Sequence, residues 1–175
     1  AHTHRFIQTT RPDSKFGFSV SGGAATEIIK TIRGKSNLEF TGLHCHIGSQ
    51  IFELKPFELA VEKMTDFIAS LARDGITVSE LNLGGGYGVT YTSDDKPLKP
   101  YQYVDAVITK LKECISLKKI VAPKLVFEPG RSIVGEAGIT LYTVGAIKDI
   151  AGIRKYIAVD GGMFENPRYA LYQSK

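Results

Sequence analysis

Apolar positions along the chain follow a helical period in some stretches and a strand-like pattern in others. The clearest helix begins near Pro56 and is ended by Gly75, because apolar residues recur there at helical spacing: Phe57, Ala60, Val61, Met64, Phe67, Ile68 and Leu71. The same period predicts a helix over about 24–32, with Ser21 as its N-cap. A further helix is predicted after Pro100, with an inward face of Val104, Val107, Ile108, Leu111 and Ile115.

Short apolar runs between these helices predict strands at 5–9, 38–47, 78–83 and 125–127. The run 38–47 is apolar on both faces, as is typical of a buried parallel strand. After Arg131 the pattern changes, since 139–148 and 154–159 are both β-rich with no helix between them. We therefore predict an α/β fold, in which part of a TIM-type (β/α)8 barrel over residues 1–137 is followed by the beginning of an all-β domain over 138–175.

Composition and charge narrow the class of protein. The 175 residues are 43% hydrophobic and 23% charged, which is typical of a soluble globular chain. The sequence has no Arg-rich stripe with interleaved aromatic residues, which argues against nucleic acid as a partner. The net charge of +4 would still suit a small anionic ligand. No apolar run in the sequence approaches the ~20 residues that a membrane-spanning helix requires. Cys45 and Cys114 lie far apart, which favours a reduced, cytoplasmic protein, and Cys114 is expected to pack on the apolar face of its helix.

Four glycine-rich or polar segments each follow an apolar run, and they carry the candidate chemistry: 44–49, 84–88, 128–131 and 160–163. In parallel α/β folds the functional groups lie where the strands end. Backbone amides of Gly84, Gly85 and Gly86 can approach an anion closely, although a tight turn also explains such a run. Ser49 is a candidate donor to the same anion, or alternatively a turn residue.

The histidines and the charged residues each allow more than one interpretation. His44 and His46 share one face of a strand, so they suit a metal, an aromatic ring stacked on imidazole, or a hydrogen-bonded core histidine. Glu128 and Arg131 suit either a local ion pair or a carboxylate at a heteroaromatic nitrogen beside an anion-binding guanidinium. Further along, Arg168 and Tyr172 are four residues apart and can share a helical face that holds a carboxylate, or can simply pack on each other at the surface.

Taken in order, the segments 42–50, 82–88, 128–135 and 160–172 resemble the motifs of the fold-type III, alanine-racemase-like family of pyridoxal 5′-phosphate (PLP)-dependent decarboxylases. The resemblance extends over essentially the whole chain. The segment that carries Arg168 and Tyr172 favours the branch that converts meso-2,6-diaminopimelate to L-lysine and carbon dioxide, the last step of lysine biosynthesis. The resemblance therefore implies a PLP-binding barrel and a homodimer whose active site lies at the subunit interface.

The resemblance also implies a role for each site residue. His46 would stack on the pyridine ring, and Glu128 would pair with the ring nitrogen. The cofactor phosphate would be bound by Ser49, by Gly84, Gly85 and Gly86, and by the backbone of Gly130 and Arg131. The distal end of the substrate would be held by Arg131, Arg168 and Tyr172. Tyr169 departs from the family, since relatives usually carry proline there.

The same resemblance places no catalytic residue within this chain. The Schiff-base lysine is expected on an earlier strand, and the proton-donating cysteine in a later region. The chain is thus expected to be an internal piece of a longer protein, inactive by itself. Three alternatives stay open: a decarboxylase of a related basic amino acid, a non-catalytic PLP-binding module, and a metal-dependent barrel hydrolase using His44, His46 and Asp160, against which the small number of histidines argues.

Overall fold

The computed structural model describes residues 15–165 and 167. Four helices occur among them: α1 Ala24–Arg33, α2 Lys55–Arg73, α3 Pro100–Lys118 and the short α4 Gly130–Val134. The strands are β1 Gly42–His44, β2 Glu80–Asn82, β3 Lys124–Val126, β4 Val144–Ile150 and β5 Arg154–Val159. The chain divides into two compact units, residues 1–135 and residues 136–175.

The first unit contains a parallel sheet in the order β1-β2-β3, and α2 and α3 form the crossovers between its strands. Leu43, Leu81 and Leu125 lie opposite one another in this register. The parallel α/β arrangement predicted from the sequence is therefore confirmed. Because the three strands run the same way, their carboxyl ends meet at one edge of the sheet.

The core of this unit is formed by the sheet and the apolar faces of α2 and α3. The predicted inward residues of α2 are buried, except that Ala60 is half-buried. Helix α3 buries Tyr103, Val107, Leu111 and Cys114. The Tyr103 hydroxyl donates to the Ile51 carbonyl at 3.0 Å, and this satisfies its polar end inside the core. The predicted packing of Cys114 is confirmed, whereas Tyr103 was absent from the predicted face.

Two local predictions were wrong. Ser21 does not cap α1, because the N-cap position belongs to Gly23, which adopts φ 78°. The Ser21 hydroxyl lies instead 3.2 Å from that of Ser19. The strand predicted over 38–47 is limited to Gly42–His44. The predicted strand at 5–9 lies outside the described residues.

The second unit contains a β-hairpin in which β4 and β5 pair antiparallel, with Ile147 opposite Ile157. The backbone N–H of Thr143 donates to Asp160 Oδ1 at 2.8 Å. Hydrogen bonds from Thr143 hold the pKa of the Asp160 carboxyl below its ordinary value. The side chain of Asp160 is therefore already engaged in closing the end of the hairpin.

None of the helices in the described part of the chain is both long enough and apolar enough to cross a membrane.

Candidate functional site

The carboxyl ends of β1, β2 and β3 bring three of the predicted segments together. Backbone hydrogen bonds also join the segments that follow these strands. The Cys45 N–H donates to the Asn82 carbonyl at 2.9 Å, and the Glu128 N–H donates to the Gly84 carbonyl at 2.8 Å. Because these bonds fix the backbone of the segments after the strands, the side chains on those segments are held in defined positions.

Glu128 is the centre of a polar cluster at this edge. Its Oε1 accepts a hydrogen bond from Asn82 Nδ2 at 2.7 Å and lies 3.5 Å from His44 Nε2. The side chains of His44 and Glu128 are 53% and 52% exposed. The carboxylate is therefore anchored at one oxygen and presented to the open side of the sheet edge.

Arg131 has different partners, so the predicted local ion pair with Glu128 is not the arrangement found. Arg131 Nε donates to Ser49 Oγ at 3.0 Å, and Nη1 donates to the Tyr91 hydroxyl at 2.5 Å. The guanidinium carbon lies 5.7 Å from the centre of the Tyr91 ring. One side chain from α4 and two from separate loops thus form one group that suits an anion.

The glycine run lies between these two groups and allows the loops to approach closely. A Cβ atom on Gly85 would collide with the carbonyl oxygen of Glu128, and one on Gly86 with that of Gly48. Gly84 and Gly86 adopt φ +66° and +97°, which side chains rarely tolerate. The structural explanation of this run therefore holds, and any anion-binding role adds to it.

Two of the three glycine amides already have partners within the protein. The Gly84 N–H donates to Asn82 Oδ1 at 2.9 Å. The Gly85 N–H points to His46 Nδ1 at 3.5 Å, which places the exposed imidazole against the loop backbone. Among the three, Gly86 is consequently the best candidate to donate to a ligand.

Cys45 lies between the two histidines and packs against the hydrophobic core. Burial raises the pKa of its thiol to about 11. The thiol is thus protonated at neutral pH and is no candidate nucleophile.

The other candidate residues are Asp160, Arg168 and Tyr172. Within residues 15–165, no three or more histidine, cysteine or acidic side chains are grouped so as to hold a metal ion. The hydrolase alternative would draw His44 and His46 from the first unit and Asp160 from the second, where the Asp160 carboxylate already accepts a hydrogen bond from Thr143. Arg168, Tyr169 and Tyr172 lie outside the described residues.

Sequence reasoning missed two members of the site, Asn82 and Tyr91. Asn82 belongs to the quoted segment 82–88 but was given no role. Tyr91 falls in the polar loop after the glycine run and contacts Arg131, 40 positions away. The sequence could have indicated Asn82 as a polar residue at the end of a strand. Its partner Glu128 could not be predicted, because the register between β2 and β3 sets that contact.

Comparison with known proteins identifies the family. The family described as pyridoxal-dependent decarboxylase, pyridoxal binding domain, matches residues 1–135, well over half of the chain. The chain belongs to this family. Its members take their name from pyridoxal, so membership implies PLP as the cofactor.

Relatives of the chain include the diaminopimelate decarboxylase of Bacillus subtilis, which is 47% identical over the whole chain. Among solved structures, the diaminopimelate decarboxylase of M. jannaschii superposes with a TM-score of 0.82 at 33% identity, covering 98% of this chain and 41% of the other. The Helicobacter pylori diaminopimelate decarboxylase complexed with L-lysine gives 0.81 at 31% identity, covering 99% and 41%. The chain spans 40% of the length of the B. subtilis relative.

The residues at the sheet edge fit PLP. A half-exposed carboxylate, with one oxygen held by Asn82, suits the ring nitrogen, because that nitrogen needs an acidic partner to remain protonated. The Ser49 hydroxyl and the backbone of the glycine run suit the phosphate, since both can donate hydrogen bonds to an anion. A Cβ atom added to Gly130 would meet nothing within 4 Å, so space remains beside this turn.

Proposed function

We propose that the longer protein to which this chain belongs is a PLP-dependent decarboxylase that converts meso-2,6-diaminopimelate to L-lysine and carbon dioxide. The observation that carries the cofactor assignment is the Glu128 carboxylate, anchored at one oxygen and exposed at the ends of three parallel strands. The substrate assignment rests on the relatives, which are diaminopimelate decarboxylases across the whole length of this chain.

Each residue of the cluster has a distinct task in this proposal. When bound, the cofactor supplies a ring that accepts the electron pair left by departing carbon dioxide. Glu128 keeps a proton on the ring nitrogen, and His46 packs on the ring face. Ser49, the glycine run and the backbone of Gly130 and Arg131 hold the phosphate.

We propose that the Arg131 guanidinium faces the distal carboxylate of the substrate together with Arg168 and Tyr172. The contacts to Ser49 and Tyr91 support this role, because they fix a long and otherwise mobile side chain in one place. Binding energy from the distal end then positions the reacting carboxylate at the cofactor.

Three features of the whole protein belong to the same proposal. Residues 1–137 are part of a PLP-binding (β/α)8 barrel, and 138–175 begin a C-terminal β domain. The active protein is a homodimer with its active site at the interface. The reducing cytoplasm is its compartment, in keeping with the free thiols of Cys45 and Cys114.

The test is carbon dioxide release by the full-length protein with PLP, with meso-diaminopimelate, ornithine and arginine supplied in parallel. We expect release from diaminopimelate alone, with lysine as the product. Release from ornithine or arginine would transfer the assignment to another basic amino acid. Tight PLP binding without release from any substrate would indicate a non-catalytic module and overturn the proposal.

A further inference from the structure

The side-chain amide of Asn82 is hydrogen-bonded at both ends. Its oxygen accepts from the Gly84 N–H at 2.9 Å, and its nitrogen donates to Glu128 Oε1 at 2.7 Å. We propose that Asn82 is a positioning residue that holds the Glu128 carboxylate aimed at the cofactor ring nitrogen. This inference rests on the proposed PLP-dependent function.

The strand register brings the two side chains together. Asn82 lies opposite Val126 in the parallel pair, and Glu128 is two residues beyond Val126. Since side chains alternate along a strand, Glu128 projects on the same side as Asn82. The Leu83 N–H donates to the Val126 carbonyl at 3.1 Å, so the backbones remain paired at this point. The contact is therefore built into the sheet rather than left to a flexible loop.

The contacts of Glu128 fix the orientation of its carboxylate. Asn82 reaches Glu128 from β2, and His44, from β1, lies 3.5 Å from the same oxygen. Because Oε1 carries both contacts, we assign Oε2 to the ring nitrogen. A carboxylate fixed in advance binds its partner without the cost of reordering.

The two bonds of Asn82 can be separated by one substitution. Asn82→Asp keeps an oxygen for the Gly84 N–H but replaces the donor to Glu128 with a second carboxylate oxygen. A purely structural role through Gly84 would survive this change, whereas a role through Glu128 would not. Asn37→Asp is the matched control, because it makes the same chemical change at an exposed turn.

The experiment measures the dissociation constant of PLP by absorbance titration of the full-length protein, together with the thermal midpoint of the cofactor-free form. We expect Asn82→Asp to weaken PLP binding about tenfold or more, since the hydrogen-bond donor to Glu128 is lost and two carboxylates face each other. Asn37→Asp should bind PLP as the wild type does. Equal affinity in the two variants would overturn the proposal.

A double variant distinguishes action through Glu128 from general damage. In Asn82→Asp with Glu128→Gln, donor and acceptor are exchanged, so the side-chain hydrogen bond can form again. We expect the thermal midpoint of the cofactor-free protein to recover, while PLP affinity stays at the value of Glu128→Gln alone. A further loss of affinity in the double variant, beyond Glu128→Gln, would mean that Asn82 acts independently and would refute the inference.

The wild type separates this inference from the function on which it rests. If the wild-type protein fails to bind PLP, the proposed function falls, and the role of Asn82 falls with it. If the wild type binds PLP and Asn82→Asp binds it as tightly as the control Asn37→Asp does, the proposed function stands. In that case only the positioning role of Asn82 is refuted.

Discussion

The thiol of Cys45 is expected to react slowly, although it lies between His44 and His46 at the candidate site. Burial raises the pKa of its thiol to about 11. At about pH 7.5 its thiolate fraction is then roughly 300-fold lower than that of an ordinary thiol with a pKa near 8.5. We expect iodoacetamide to modify the Cys45 peptide correspondingly slowly in the folded protein, as followed by mass spectrometry, and at an ordinary rate after unfolding in urea.

The same shift gives a pH dependence of stability with a definite sign. The folded-state pKa of Cys45 lies above the ordinary value of 9.0 for a thiol in the unfolded chain. The contribution of this group to stability is therefore complete below pH 9 and is lost as the pH rises toward 11. Replacing Cys45 with alanine should reduce the loss of stability across that interval. Rapid alkylation of native Cys45 near neutral pH would contradict both expectations.

At the scale of residues, the sequence predicts site members whose motif is local. Glu128 and Arg131, like Ser49, stand in segments that can be read without a structure, and all three are found at the sheet edge. Asn82 and Tyr91 differ, because their partners lie 46 and 40 positions away in the chain. Strand register and loop path create those contacts, and neither leaves a local pattern in the sequence.

The two long helices are joined by a partly buried polar contact. Lys118, near the end of α3, is only 15% exposed and donates to Thr65 Oγ1 at 2.7 Å and to the Glu62 carbonyl at 2.9 Å, both on α2. It also lies 2.7 Å from the Asp66 carboxylate. Thr65 is fully buried and donates to the Val61 carbonyl. One ammonium group therefore links α3 to three positions on α2.

We predict that Lys118→Met lowers the free energy of unfolding by about 1–2 kcal/mol, because it removes charge-assisted hydrogen bonds and leaves Thr65 with one partner fewer. Urea unfolding followed by circular dichroism measures the change. Lys112→Met, at an exposed position on the same helix, should change stability by less than about 0.5 kcal/mol. Equal effects in the two variants would mean that the ammonium of Lys118 adds nothing to helix packing.

At the scale of elements, helix prediction succeeds better than strand prediction for a physical reason. Helix α2 is predicted from many apolar residues that recur at the helical period. Gly75, just after it, adopts φ 69°, a left-handed conformation that favours the end of a helix. The strands of the parallel sheet are each three residues long, too short to show their limits in an apolar run. Helix α4 has five residues and no apolar periodicity, so the sequence predicts no helix there.

At the scale of the whole molecule, the described parallel sheet has three strands, whereas a closed barrel of this class takes eight. The chain likewise spans 40% of the B. subtilis relative. The residues that the family resemblance assigns to covalent attachment and proton donation are expected in the part of the longer protein beyond this chain. A sheet of three strands offers one edge of a cofactor site rather than an enclosure.

We therefore predict that the 175-residue chain alone releases no carbon dioxide from meso-diaminopimelate with PLP, while the full-length protein does. The reason is the loss of the enclosure and of the covalent anchor together, since decarboxylation requires a held cofactor protected from water. Circular dichroism of the isolated chain serves as the control that its helices have formed. Turnover by a folded 175-residue chain at a rate near that of the full-length protein would show that the strand ends described above already contain everything the reaction needs.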